Sequence, residues 1–185
     1  MDNQTSKLRR DLLKACMAFA LTGLQVRPAF ADFEQKKMAG RKLAFYNLHT
    51  GESLKAEYWA EGEYLPDALA DINHILRDFR NDQILTIETP LLDLLHNLHL
   101  TLGTSQPFHI VSAYRSPETN SILAANSDGV AKGSLHMQGK AIDLYIEGIP
   151  LNELRHAAIN LHGGGVGYYP NSNFVHVDVG RVRVW

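Results

Sequence analysis

The sequence predicts an α+β domain: a small antiparallel sheet that carries the chemistry, flanked by helices, with a β-hairpin and helices at its N-terminal end. Two observations point there. Segments of helical period come first and short strand-like runs separated by turns come later, and no unit of the chain repeats. With 45% apolar residues, 185 residues suffice for one core, and a single cysteine excludes a disulfide scaffold.

The elements follow in order. Leu43, Phe45 and Leu48 lead into His49-Thr50-Gly51-Glu52 and then Leu54 to Trp59, which reads as a hairpin closed by a glycine-containing turn. Pro66-Asp67 opens a helix expected to run to about Arg80, since Leu69, Ile72, Ile75, Leu76 and Phe79 recur at helical spacing. Thr89-Pro90 opens a second, with Leu91, Leu94, Leu95, Leu98 and Leu102 on one face and Gly103 as its stop. His74, His96 and His99 fall inside these patterns as packing or surface residues, because no acidic companion stands at a recognisable zinc spacing. Strand-like runs follow at 108–113, 141–146, 166–169, 174–179 and 182–185. Short helices at 117–125 and 150–161 separate them, the second ended by Gly163-Gly164-Gly165.

The first 31 residues read as an export signal. Lys7, Arg9, Arg10 and Lys14 precede an apolar run, Ala15 to Leu24, that is too short to span a bilayer, and Ala29-Phe30-Ala31 offers a small-x-small cleavage site. The order Arg9-Arg10-Asp11-Leu12-Leu13-Lys14 resembles the twin-arginine pattern, which implies a periplasmic destination by that route, and an uncleaved signal would tether the domain to the membrane. Cleavage leaves one domain, residues 32–185, and carries away Cys16, the only thiol. Five basic and two acidic residues leave with the signal, so the net charge moves from −2 to −5, and bulk charge gives no reason to expect a nucleic-acid partner. Gly163 to Gly167 follows a helix and lacks the Lys-Ser/Thr of a phosphate loop, which argues against a nucleotide site.

The chemistry concentrates in two motifs. Ser134-Leu135-His136-Met137-Gln138-Gly139-Lys140-Ala141-Ile142-Asp143 sets an imidazole and a carboxylate seven positions apart, with a glycine between them that lets the loop fold back. Phe174-Val175-His176-Val177-Asp178-Val179 then sets His176 and Asp178 on one face of a strand, since strand side chains alternate. Two imidazoles and a carboxylate form a three-ligand set that leaves zinc a fourth position for water, as catalytic zinc requires.

These motifs, with Ser-Ala-Tyr-Arg-Ser-Pro-Glu-Thr-Asn at 112–120, Gly-Gly-Val-Gly-Tyr-Tyr-Pro at 164–170 and the run 174–185, resemble the M15-type D-Ala-D-Ala metallopeptidases. Within that family the likeness is to the periplasmic murein endopeptidases. The resemblance covers about half of the mature chain and keeps the family's order. It implies that His136, Asp143 and His176 hold Zn²⁺, and that Arg115 steadies the substrate or the developing oxyanion. It also implies that the substrate is the peptide crosslink of peptidoglycan, D-alanyl-meso-diaminopimelate or meso-diaminopimelate to meso-diaminopimelate.

One role is left open. Many members of the family carry an acidic residue three positions before the last zinc histidine, where this chain has Asn173. Asp178 is the substitute expected to take the water's proton. Its alternatives are a carboxylate that fixes an imidazole tautomer and a strand-end partner for Arg181 or Arg183. Ser134 and Tyr168 are expected to face the substrate, although Ser134 is equally suited to capping a turn, and of Tyr168 and Tyr169 one would pack inward. Two further functions compete with the endopeptidase: a carboxypeptidase or dipeptidase for free D-Ala-D-Ala ends, and a catalytically silent wall-binding protein.

Overall fold

The computed structural model describes residues 40–126, 131 and 133–185; the expected signal at residues 1–31 lies outside them. A single sheet organises this part of the chain. Its eight strands are β1 (Arg41–Asn47), β2 (Ser53–Ala60), β3 (Glu63–Tyr64), β4 (Phe108–Ser112), β5 (Ala141–Ile146), β6 (Gly165–Tyr169), β7 (Phe174–Asp178) and β8 (Arg183–Val184), lying in the order β3-β2-β1-β4-β5-β7-β6-β8. All neighbours are antiparallel except β1 with β4 and β6 with β8. The helices are α1 (Pro66–Ile75), α2 (Thr89–Leu102), α3 (Pro117–Asn126) and α4 (Leu151–Asn160). The architecture is therefore α+β.

Strand alternation divides the residues between two faces. Phe45, Phe108, Ile110, Leu144, Val175 and Val177 are each at most 2% exposed and share one cluster with Leu91, Leu95 and Leu98 of α2 and Leu154 of α4. Full burial of each such side chain contributes roughly 1.5–3 kcal/mol, which makes this the face that holds the fold together. Tyr46, His109, Asp143, Tyr145, His176 and Gly167 take the intervening positions, and the site lies on their face.

The first helix is shorter than its periodicity suggests. It ends at Ile75, because Asp78 leaves the helical path and pairs across a turn with Gln83. The Asp78 carboxylate is fully buried and accepts the backbone N–H groups of Arg80 and Ser116, at 3.2 and 2.9 Å. Phe79, expected on the helix face, instead stacks on His49 with ring centroids 3.6 Å apart. The second helix ends where glycine permits, with Gly103 at φ 61°. The strand expected at 182–185 is the short edge strand β8, and β3 adds a pairing the pattern did not signal.

Candidate active site

His136 enters the site from a single 3-10 turn, Leu135–Gln138, between the end of α3 and β5. Ser134 caps that turn, its Oγ accepting the His136 N–H at 3.4 Å, and Gly139 closes it at φ 65°. A side chain at Gly139 would meet the Thr86 carbonyl oxygen at 2.5 Å, so the glycine between the two expected ligands is required sterically. Asp143 and His176 are direct cross-strand partners on β5 and β7. The three side chains converge: His176 Nδ1 lies 2.8 Å from Asp143 Oδ1 and 3.2 Å from His136 Nε2, and His136 Nε2 lies 3.4 Å from Asp143 Oδ2.

The hydrogen bonds behind the rings assign the protons. His136 Nδ1 faces the Ala113 carbonyl at 2.6 Å, an acceptor only, so Nδ1 carries the hydrogen and Nε2 presents a lone pair. His176 Nε2 donates to Asp178 Oδ2 at 3.0 Å, which turns its Nδ1 lone pair toward the same point. Two lone pairs and a carboxylate thus face one another inside about 3.4 Å, a cluster that holds together only around a positive charge. Their spacing is close to the roughly 3.3 Å edge of a tetrahedral site with bonds near 2.0–2.1 Å. The donor set therefore fits a divalent cation of zinc's preferences.

The same contacts shift two of the titrating groups. Burial acts to raise the Asp143 carboxyl, but His136 and His176 outweigh it and hold the group well below the ordinary carboxylate range. Burial acts to lower His176, and hydrogen bonds and charge from Asp143 and Asp178 overcome it, so the imidazole sits above its usual value.

A cleft of about 300 Å³ opens over these atoms. Arg115 lines it, only 8% exposed, with Nη2 3.6 Å from Asp143 Oδ2 and 3.3 Å from Ser112 Oγ. Its main-chain N–H donates to the His136 carbonyl at 3.2 Å, so the two functional candidates fix each other's backbone. Arg115 Nε is buried with no hydrogen-bond partner among the described residues, an unsatisfied donor beside the cleft. Ser134 lines the cleft as expected. The tyrosine differs from expectation: Tyr169 lines the cleft, while Tyr168 turns to the core side beneath the Arg155 guanidinium. The reason is register, since Tyr169 and Gly167 share the face of His176 and Tyr168 falls between them.

Asp178 does not line the cleft. It is fully buried behind His176, with Oδ1 accepting the N–H groups of Gly165 and Gly180 at 3.0 and 2.8 Å. Arg183 adds a bidentate pair at 3.1 and 2.7 Å. These four donors and His176 Nε2 hold the carboxyl well below its ordinary value although burial opposes them. Of the three readings of Asp178, its contacts match two, a carboxylate bonded to the far nitrogen of His176 and a partner of Arg183. Asn173, where an acidic residue was sought, occupies a left-handed position at φ 54°, a conformation asparagine tolerates well.

Several participants escaped the sequence reading. Gly165 leaves room for Asp178 and Arg183, and a side chain there would meet their polar atoms at about 2.5 and 2.4 Å. Gly167 leaves room for the Trp185 ring, 2.7 Å from where its Cβ would stand. Trp185 in turn lies 5.3 Å from the His176 ring and donates its indole N–H to Tyr169 Oη at 2.8 Å. The alternate glycines of Gly165-Val166-Gly167 on a strand were the available signal.

Residues 35–185 match the family described as Peptidoglycan L,D-endopeptidase MepK. A protein of that name from Escherichia coli strain K12 is 48% identical over 158 residues, 85% of this chain and 86% of its own length, and a Shigella flexneri protein matches equally. A Haemophilus influenzae protein described as probable peptidoglycan L,D-endopeptidase MepK is 40% identical over 146 residues, 78% of each chain.

Proposed function

The chain belongs to the M15-type murein endopeptidase family, and from that premise we propose that it is a zinc-dependent peptidoglycan endopeptidase that hydrolyses amide crosslinks between stem peptides. The observation that carries the reading is the convergence of His136 Nε2, His176 Nδ1 and Asp143 at the floor of an open cleft, each ring tied off at its far nitrogen. These three residues would hold the metal. The chemistry such a cation would supply is Lewis acidity toward the scissile carbonyl and hydroxide near neutral pH.

The other roles fall to the protein. Arg115, permanently charged and anchored by Ser112 and Asn120, presents donors into the cleft where negative charge develops on the attacked carbonyl oxygen. Asp178 and Arg183 act as positioning residues, fixing the His176 tautomer and ring angle. Tyr169 Oη, which accepts from Trp185, keeps its own hydrogen to donate to substrate.

The relatives' names favour an L,D bond. In meso-diaminopimelate to meso-diaminopimelate crosslinks the carbonyl comes from an L centre and the amine from a D centre, whereas a D-alanyl crosslink begins at a D centre. The former is therefore the bond assigned here. The leading 31 residues, read as a signal, would deliver the domain to the periplasm, where this substrate lies.

The test is incubation of the zinc-loaded protein with muropeptide dimers of each crosslink type. Conversion of the meso-diaminopimelate-linked dimers to monomers is expected. Shortened stems would mean a carboxypeptidase, and binding without products would mean a silent wall-binding protein; either result rejects the proposal.

A further inference from the structure

The site face carries a second row of side chains beside the first. The site row runs across the strands as Ser112, Asp143, His176 and Gly167, in direct register. Two residues along β5, β7 and β6, roughly 6.6 Å away, and three along the bulged β4, lies a row of rings that β1 extends, one ring from each of five neighbouring strands. Tyr46 on β1 is the partner of His109 on β4, which is the partner of Tyr145 on β5. One step beyond the last paired positions, Leu144 and Val175, Tyr145 adjoins Phe174 on β7, the partner of Tyr169 on β6.

The rings touch in two groups, Tyr46, His109 and Tyr145 in one and Tyr169 with Phe174 in the other. Centroids are 5.2 Å apart for Tyr46 and His109, 4.7 Å for His109 and Tyr145, and 4.5 Å for Tyr169 and Phe174, the last two pairs stacked at 25° and 19°. All five are half-buried, and across four strand spacings the row is about 19 Å long. The core-forming helices lie on the opposite face, where His99 of α2 stacks on Phe108. Stability alone does not ask for a ring at the same level of five neighbouring strands on the face away from the core.

We infer that this row is an extended subsite for the substrate's peptide, carrying the crosslinked stem away from the scissile bond. The inference rests on the endopeptidase reading and names where its substrate lies. Continuity argues for it, since Phe174 and Tyr169 already line the catalytic cleft and the row leaves from them. Ring orientation selects a peptide over a sugar strand. The two stacked pairs, His109 with Tyr145 and Tyr169 with Phe174, cover one another's faces and turn ring edges outward, where a pyranose would need an open flat face. An extended peptide rising about 3.3 Å per residue can set alkyl side chains against those edges and its amides against the hydroxyls. Glu147 supplies a charge of the right sign: 82% exposed in its side chain and 3.8 Å from His109 Nε2, it can pair with the free ammonium of a diamino acid.

The decisive measurement is binding of a crosslinked stem-peptide dimer, free of glycan and with its scissile amide replaced by a ketomethylene group, to the zinc-loaded full chain. Tyr145→Ala should raise Kd about three- to tenfold, and the surface substitution Glu147→Gln should raise it by a smaller factor without risk to the fold. A dimer cut short on the side leaving the cleft should bind wild type and variants alike. Unchanged affinity in both variants, or a loss seen only when glycan strands are attached, overturns the subsite. Parallel assays with the cleavable dimer separate the two proposals: binding weakened by the variants without any cleavage by wild type would sink the endopeptidase alone, and cleavage with variant-insensitive binding would sink the subsite alone.

Discussion

The two faces of the sheet are made from alternate residues of the same strands, and both are buried at the centre. On β7, Val175 and Val177 are 0% and 1% exposed on the core face, while His176 and Asp178 are 9% and 0% exposed on the other. Depth does not tell them apart. The core face is satisfied by contact alone, whereas each polar atom on the site face needs a named partner: Ala113 for His136, Asp178 for His176, and Gly165, Gly180 and Arg183 for Asp178. Function on this sheet is thus read from hydrogen-bond accounting, since burial is common to both sides.

The sharpest way to break that contrast is to remove one of the proposed metal ligands. His176→Ala is expected to lose bound zinc and to reduce crosslink hydrolysis on the order of 1000-fold or more, measured by metal analysis beside muropeptide chromatography. Full zinc occupancy with near-normal turnover would show that the site face does not work as assigned. On the core face the same strand neighbourhood should behave oppositely. Leu144→Ala, next to Asp143 and fully buried, should cost about 2–5 kcal/mol in urea unfolding yet leave zinc stoichiometry intact in the absence of denaturant.

A third test uses pH on the core side. His99 stacks on Phe108 with centroids 3.9 Å apart, and burial pushes its imidazole from 6.5 down to about 4. The unfolded chain takes up a proton near 6.5 that the folded chain refuses until about 4, so stability is complete above that upper value. It drains as pH falls through the window, by up to about 3 kcal/mol. Urea midpoints at pH 7 and 4.5 should therefore diverge in the wild type and diverge less in His99→Phe, which keeps the stack and removes the titrating group; equal divergence in both would reject the assignment. The smallest effect belongs to the support behind the ligand. Asp178→Asn should weaken zinc affinity about 10- to 100-fold in a competition with a chelating dye, and unaltered affinity would mean that the His176 ring holds its orientation without the carboxylate.

Much of this was legible in the chain. The spacing from His136 to Asp143 and the alternation of His176 with Asp178 pointed to the site because local geometry dictates what such spacings can reach. The turn residues did the same for Gly103 and Gly139. Where the first helix stops was not legible, since the periodicity through Phe79 is sound and the helix yields to Asp78 capturing the Ser116 N–H, 38 residues away. Nor was the role of Asp178, for which a sequence offers a proton acceptor and a structural carboxylate with equal ease.

The amino-acid sequence by itself determined which side chains alternate, where backbone freedom is required and which residues have the chemistry to hold a cation, because these depend on neighbours within a few positions. Tertiary structure alone decided that Asp178 lies behind His176, that Tyr169 and not Tyr168 meets the cleft, and that five rings align across β1, β4, β5, β7 and β6. Each of those facts is a matter of strand register, and register is set by the packing of the whole sheet against its helices.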